Sequence, residues 1–169
     1  VTVGGYDIRN LTPKIVKSLN EINFDEIENQ YIDKENLHID VVIGPSFDNV
    51  DEIAEEVQNS KVEISLNFNV SKMSKLMLNS DIAISSGGST LYELAFTKTP
   101  AMVVLQAENQ IRVADKLDKK SIINLGFGNE VSRKKIKENL SNLIVNFEKR
   151  KKLAKNNKII CNNVRKEIL

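Results

Sequence analysis

Short runs of β-branched and apolar residues alternate with amphipathic helical patterns along most of the chain, and this alternation limits its fold more than any other feature. Examples are LHIDVVIG at 37–44, DNVDEIAEEVQNS at 48–60, PAMVVL at 100–105 and ENQIRVADKLDKK at 108–120. A strand followed by a helix, repeated about six times, favours parallel pairing and right-handed crossovers with helices on both faces. The pattern predicts an α/β fold, a Rossmann-like doubly wound parallel sheet of about six strands.

The length of the chain suits one domain. Its 169 residues, 41% of them hydrophobic, can build one two-sided core but not two ordinary ones. We therefore expect a single domain over residues 1–169, with the polar stretch at 24–36 as a helix end and loop. Since the sequence opens on a strand pattern that already ends in glycine, we also expect an amino-terminal partner domain or partner chain to be missing from it.

Charge and cysteine content narrow the classes of partner. The 24 Lys and Arg residues nearly cancel the 23 Asp and Glu residues, which leaves a formal charge of +1 and disfavours nucleic acid as a partner. The lysine-rich run at 147–169 is spaced like a solvated helix with Leu153, Ile159, Ile160 and Val164 on its buried side. No run reaches the roughly 20 apolar residues of a membrane span, and Cys161 has no partner for a disulfide or a metal site. We expect a soluble cytoplasmic protein with no metal and no cofactor.

Two glycine pairs follow predicted strands. Gly4 and Gly5 end the first strand, and Gly87 and Gly88 end the fourth, in SSGGST. If the strand order is 3-2-1-4-5-6, these strands are neighbours and the ligand crevice of such folds lies between their carboxyl ends. Glycine lets the backbone come close to a ligand. The pairs therefore indicate a binding site at this point.

SSGGST also opens a helix. The free amides of Gly88, Ser89 and Thr90 are expected to point outward along the positive end of the helix dipole, which suits a phosphate. The alternative is a plain turn with Ser89 as the cap. One turn further on, Glu93 can accept hydrogen bonds from vicinal hydroxyls such as those of a ribose, or it is a solvated surface carboxylate.

Further candidates follow the other strands. Gln106, Asn109 and Gln110 offer amides for sugar hydroxyls or phosphate oxygens, although Asn109 could instead cap the next helix. Val70 and Met73 can form an apolar platform for a nucleobase, with core packing as the alternative.

In GGYDIRN, Asp7 and Asn10 either position a sugar or a water at the crevice mouth or form the turn.

Several catalytic patterns are missing from the sequence. The sole histidine, His38, stands inside the second strand pattern, where a structural role is favoured over a general base, and the catalytic residues remain unknown. There is no G-x-x-x-x-G-K-[ST] motif, and no G-x-G-x-x-G follows the first strand. P-loop chemistry is therefore unsupported.

The run MSKLMLNSDIAISSGGSTLYELAFTKTPAMVVLQAENQ strongly resembles the carboxyl-terminal half of pseudaminic acid pathway UDP-sugar hydrolases and of spore-coat polysaccharide biosynthesis proteins. More distantly it is similar to the lipid II-forming N-acetylglucosaminyltransferases, and all of these are GT-B enzymes. GGYDIRNLT resembles the GG-x-D-x-x-N segment that begins the same half-domain in the hydrolases.

This resemblance implies roles for several residues. Gly87 to Thr90 would hold the diphosphate of a UDP-sugar, Glu93 the ribose hydroxyls, and Val70 with its backbone the uracil. Asn109 and Gln110 would hold the sugar or the phosphates. The histidine that resembles a catalytic base lies in the other half of these enzymes, and His38 does not occupy that motif position.

The function expected from these likenesses is a UDP-sugar-binding domain of a GT-B enzyme in cell-surface glycan biosynthesis. We expect a hydrolase that releases UDP from a UDP-linked acetamido-trideoxy sugar, with negligible turnover by this chain alone. The alternatives are the donor-binding domain of a glycosyltransferase and a non-catalytic donor-site subunit of a two-chain enzyme.

Overall fold

The computed structural model describes residues 1–24, 27, 37–117 and 120–168, and the side chains only as far as residue 157. The strands are β1 His38–Ile43, β2 Glu63–Phe68, β3 Ala83–Ser85, β4 Ala101–Leu105 and β5 Ile122–Phe127. The helices are α1 Leu11–Asn20, α2 Val50–Gln58, α3 Met73–Leu78, α4 Thr90–Thr97, α5 Asn109–Lys116, α6 Arg133–Val145 and α7 Phe147–Ile168. Apart from residues 24 and 27, the predicted loop at 24–36 lies outside the described residues.

All of these strands pair in parallel. β1 pairs with β2 in one sheet, while β3, β4 and β5 form a second sheet in that order. Residues 1–3 lie between the two sheets, since the Val42 amide donates to the Val1 carbonyl and the Thr2 amide donates to the Ile84 carbonyl, both at 2.9 Å. Backbone hydrogen bonds therefore link neighbouring segments in the spatial order β2, β1, residues 1–3, β3, β4 and β5.

The expected sheet of about six strands is confirmed only in part, because the described residues form five strands in two sheets. Residues 1–3 form one isolated bridge, between Thr2 and Ser85, and are too short to count as a strand. Gly4 ends this extended segment at φ +102°, a conformation that turns the chain away from the sheet.

Helices cover both faces of the second sheet. β4 is buried along its whole length, and its side chains alternate between two cores. Met102 and Val104 join the core beneath α1 and α6, whereas Val103 and Leu105 join the core beneath α4 and α5. This burial on both faces explains why the strand is a continuous apolar run, and it confirms the Rossmann-like α/β class.

The carboxyl-terminal helix α7 forms as predicted, and Leu153 is buried in the core beneath α1 and α6. Ile159, Ile160 and Val164, which were also expected to be buried, lie with Cys161 in the part of α7 whose side chains the structure does not describe. None of the helices in the described ranges is both long enough and apolar enough to span a bilayer.

Candidate functional site

Four loops lie together at the carboxyl ends of the strands, and we refer to the surface that they form as the crevice. They comprise residues 4–10, 44–46, 86–90 and 106–110. Ends of neighbouring parallel strands lie at the same edge of a sheet, and this edge is where open α/β sheets bind ligands.

The two glycine turns lie against the same side chain, Ser86. A Cβ atom built on Gly4 would be 3.9 Å from Ser86 Oγ, and one built on Gly88 would be 3.8 Å from the same atom. Ser86 Oγ also donates a hydrogen bond to the Val3 carbonyl at 2.8 Å, directly before the first glycine pair. The fold thus brings together two glycine pairs that are more than eighty residues apart in sequence.

The four glycines of these turns are not equivalent. A Cβ on Gly87 would be 2.5 Å from Leu105 Cδ2 and 2.8 Å from Gln110 Cβ, so this glycine is required by packing within the protein. A Cβ on Gly5 would have no neighbour within 4 Å, and Gly88 is almost as open. The backbone is therefore accessible to a ligand at Gly5 and Gly88.

The amino-terminal end of α4 carries unpartnered donors. In the described part of the chain, no group accepts a hydrogen bond from the amides of Gly88, Ser89 or Thr90. Ser89 occupies the N-cap position, but its side chain makes no capping hydrogen bond. Glu93 is exposed in the first turn of the helix. These amides and the helix dipole together present a positive end to the solvent.

Gln106 and Gln110 hold the loops of the crevice together. Gln110 Oε1 accepts hydrogen bonds from the amides of Gly87 at 3.1 Å and of Gln106 at 2.8 Å. Gln106 Nε2 donates to the carbonyls of Val3 at 2.8 Å and Tyr6 at 3.2 Å. The side-chain oxygen of Gln110 therefore already accepts two hydrogen bonds from within the protein.

Asn109, the other amide candidate, is exposed as the first residue of α5, and Glu108 rather than Asn109 occupies the N-cap position.

Asp7 stabilises the turn that begins the crevice. Its Oδ1 accepts from the Leu11 amide at 2.7 Å, and its Oδ2 accepts from the Thr12 amide at 2.8 Å and from Asn49 Nδ2 at 3.2 Å. Asn49 Nδ2 also donates to Oδ1 of Asn10, which adopts a left-handed φ of 48°. Both Asp7 oxygens are thus used at the amino-terminal end of α1, in agreement with the turn-forming alternative.

The apolar candidates lie around β2 and α3. Val70 is half-buried after β2, and Met73 begins α3 and packs against the core beneath α4. Met73 and His38 also line a cavity of about 310 Å³ at the amino ends of β1 and β3, opposite to the crevice. His38 Nδ1 and Nε2 lie 3.5 Å from Glu63 and 3.6 Å from Asp40. His38 therefore lies beside two carboxylates at the surface, remote from the crevice.

Among the described residues, no three side chains of His, Cys, Asp or Glu are grouped in a way that could hold a metal ion.

Sequence reasoning missed two residues of the crevice. Arg9 Nε donates a hydrogen bond to the carbonyl of Gln106, directly after β4. Gly44 lies so close to the first turn that a Cβ there would be 2.5 Å from the Gly4 carbonyl oxygen and 2.7 Å from the Gly5 carbonyl oxygen. The position of Gly44 directly after a strand was a usable signal, whereas nothing local in the sequence distinguishes Arg9.

Comparison with known proteins identifies the family. The chain matches the model of the glycosyltransferase family 28 C-terminal domain over residues 1–167. It is 30% identical over 122 residues to an uncharacterized protein of Methanocaldococcus jannaschii, which covers 71% of this chain and 23% of that protein. It is also 35% identical over 89 residues to the Helicobacter pylori protein named pseudaminic acid cytidylyltransferase and UDP-2,4-diacetamido-2,4,6-trideoxy-beta-L-altropyranose hydrolase, which covers 53% of this chain and 16% of that protein.

The matched segments span less than a quarter of the length of either relative. The family model, in contrast, covers nearly all of this chain. The chain therefore belongs to the glycosyltransferase family 28 C-terminal domain family.

Proposed function

We propose that the chain binds a UDP-activated amino sugar in the crevice, with the diphosphate against the amides of Gly88, Ser89 and Thr90. The observation that carries this proposal is that both glycine turns lie against the side chain of Ser86, beside these free donors. Charge-assisted hydrogen bonds from backbone amides are worth roughly 1.5–3 kcal/mol each, whereas micromolar binding requires about 8 kcal/mol. Contacts to the nucleoside and the sugar must therefore supply the rest.

The other candidate residues are assigned to different parts of the ligand. Glu93 follows Ser89 by one helical turn, and we assign it to the ribose hydroxyls. Asn109 and the amide nitrogen of Gln110 would contact the sugar or the phosphates, and Val70 would form one side of the nucleobase site, whereas Met73 lines the cavity at the opposite ends of the strands. Asp7 and Asn10 would act indirectly, by holding the shape of the loop that carries Gly4 and Gly5.

The proposed chemistry is the departure of UDP from the anomeric carbon of the sugar. In hydrolysis the oxygen of a water attacks that carbon, the bond to the diphosphate oxygen breaks, and UDP leaves with the electron pair while a base takes the proton from water. Amides at the start of α4 would stabilise the charge that develops on the diphosphate. We place the general base in a second domain, because His38 lies at the amino ends of the strands and the crevice lies at their carboxyl ends.

A glycosyltransferase is the second candidate. The description of the matched family favours it, whereas the name of the Helicobacter pylori relative favours the hydrolase. The two reactions use the same donor site and differ in whether a sugar hydroxyl or a water attacks. Assaying UDP release with and without added acceptor, in a protein that carries both domains, separates them.

Calorimetric titration tests the binding proposal. We expect UDP to bind this chain weakly, and Glu93→Gln to reduce its affinity about tenfold, since a charge-assisted hydrogen bond is lost. The preference for UDP over its 2′-deoxy analogue should shrink in the same variant. Glu55→Gln removes an equivalent exposed carboxylate on α2 and serves as the control.

Equal UDP affinity in Glu93→Gln and the parent would contradict the assignment of the ribose site. The need for a second domain is tested separately by incubating the chain with a UDP-sugar. We expect negligible release of UDP, and release at ordinary enzyme rates would show that no further domain is required.

A further inference from the structure

Arg9 projects from the first loop of the crevice and contacts the loop after β4. Its Nε donates to the carbonyl of Gln106, a residue almost one hundred positions further along the chain. We propose that Arg9 is an anion-binding residue of the crevice, whose guanidinium contacts the diphosphate of the bound nucleotide. This inference rests on the proposed function and adds a specific charged residue to it.

The backbone that carries Arg9 is held in a defined position. The Asn10 amide donates to the Asp7 carbonyl at 3.1 Å, which closes a turn around residues 8 and 9. Before this turn, the Tyr6 carbonyl accepts a hydrogen bond from Gln106 Nε2 at 3.2 Å. The Asp7 carboxylate accepts hydrogen bonds from the first amides of α1, which follows the turn. The turn that carries Arg9 is therefore held both to the loop after β4 and to the amino-terminal end of α1.

A short series of hydrogen bonds connects Arg9 to the free amides of α4. Gln106, which holds Arg9 through its carbonyl, donates through its amide to Gln110 Oε1 at 2.8 Å. The same oxygen accepts from the Gly87 amide at 3.1 Å, and Gly88 is the next residue. The guanidinium and the amino-terminal end of α4 are therefore carried by loops that are directly hydrogen-bonded to one another.

The chemistry of the side chain suits a diphosphate. A guanidinium has five N–H donors in a rigid plane, and its fork matches two oxygens of a phosphate. The hydrogen bond to Gln106 uses only the Nε donor, and in the described part of the chain no acceptor is found for the two Nη groups. The bond at Nε also restricts the side chain before the ligand arrives, which reduces the entropy lost on binding.

The obvious alternative is that Arg9 only fastens the first loop to β4. A purely structural role would alter the affinity for every ligand of the crevice to the same degree. If Arg9 contacts the diphosphate, its contribution to affinity should instead increase with the number of phosphate groups on the ligand. That contribution should also decrease at higher salt, because salt screens the charges. Ligands that differ only in phosphate content therefore distinguish the two roles.

The test is calorimetric titration of uridine, UMP and UDP into the parent, Arg9→Gln and Arg9→Lys, at low and physiological salt. We expect Arg9→Gln to weaken UDP about tenfold, as the loss of one charge-assisted contact implies, to weaken UMP less and to leave uridine unchanged. Arg9→Lys should be intermediate, because it keeps the charge without the fork. Lys134→Gln is the control, because it removes the same charge on α6 from a side chain that is 83% exposed.

Parent-like UDP affinity in Arg9→Gln would overturn the inference and leave the proposed function standing. Equal weakening of uridine and UDP would also overturn it, since that result indicates a structural role. Failure of the parent itself to bind UDP, UMP and uridine would overturn the proposed function and the inference together. Urea unfolding of each variant separates lost binding from lost folding.

Discussion

Gly87 and Gly88 are adjacent glycines for which the structure predicts opposite responses to the same added methyl group. In Gly87→Ala the new Cβ would lie 2.5 Å from Leu105 Cδ2 and 2.8 Å from Gln110 Cβ, well inside van der Waals contact. Overpacking of this kind costs about 1–3 kcal/mol. Displacing Gln110 would also weaken the two hydrogen bonds that its oxygen accepts, each worth about 1 kcal/mol. We therefore expect a loss of about 2–4 kcal/mol in the free energy of unfolding.

Gly88→Ala should leave the fold almost unchanged. Its Cβ would meet only Ser86 Oγ, at an ordinary contact distance of 3.8 Å, and Gly88 does not have a positive φ. We expect a change of less than about 0.5 kcal/mol in the free energy of unfolding. The methyl group would, however, occupy space beside the free amides of α4, so UDP affinity should fall at least about tenfold, or roughly 1.4 kcal/mol.

Two measurements check this pair of variants. Urea unfolding should be followed by far-ultraviolet circular dichroism, because the chain has no tryptophan, and UDP binding should be followed by titration calorimetry. Comparable destabilisation by the two substitutions would refute the packing argument. A Gly88→Ala protein that folds and binds UDP like the parent would refute the placement of the diphosphate.

Three further substitutions test the supports of the crevice and of α1. Asp7→Asn should lower the free energy of unfolding by about 1–3 kcal/mol, because the carboxylate accepts from two amides of α1; unchanged urea unfolding would contradict this. Gln110→Ala should cost about 1–2 kcal/mol and also weaken UDP binding, since two loop amides lose their shared acceptor; intact affinity would show that the loops keep their positions without it. The hydrogen bond and charge of Glu52 raise the pKa of Lys17 above its ordinary value of 10.5, so this ion pair contributes fully below pH 10.5 and its contribution is lost as pH rises through the raised value. Lys17→Met should therefore cost less than about 1 kcal/mol at neutral pH and progressively less at more alkaline pH, and a deficit that does not change with pH would rule out the ion pair as its cause.

The fold class could be predicted because it depends on local periodicity. Residues 100–105 form a continuous apolar run, and the structure buries β4 on both faces as such a run predicts. The number of strands was harder to predict, since the extended segment at residues 1–3 ends at Gly4 after one bridge. A strand pattern in the sequence does not reveal how many backbone hydrogen bonds the segment will form with the neighbouring strands of the sheet.

The alternation of strands and helices, and the positions of both glycine pairs at the ends of extended segments, could be predicted from the sequence alone, because the period of a pattern and the conformational freedom of glycine are local properties. In contrast, the packing that requires glycine at position 87 but leaves Gly88 open, and the contact of Arg9 with the loop after β4, became evident only from the three-dimensional fold. Each of these facts depends on distances between residues far apart in the chain. Such distances are set by how the sheet packs against its helices, and no local pattern encodes them.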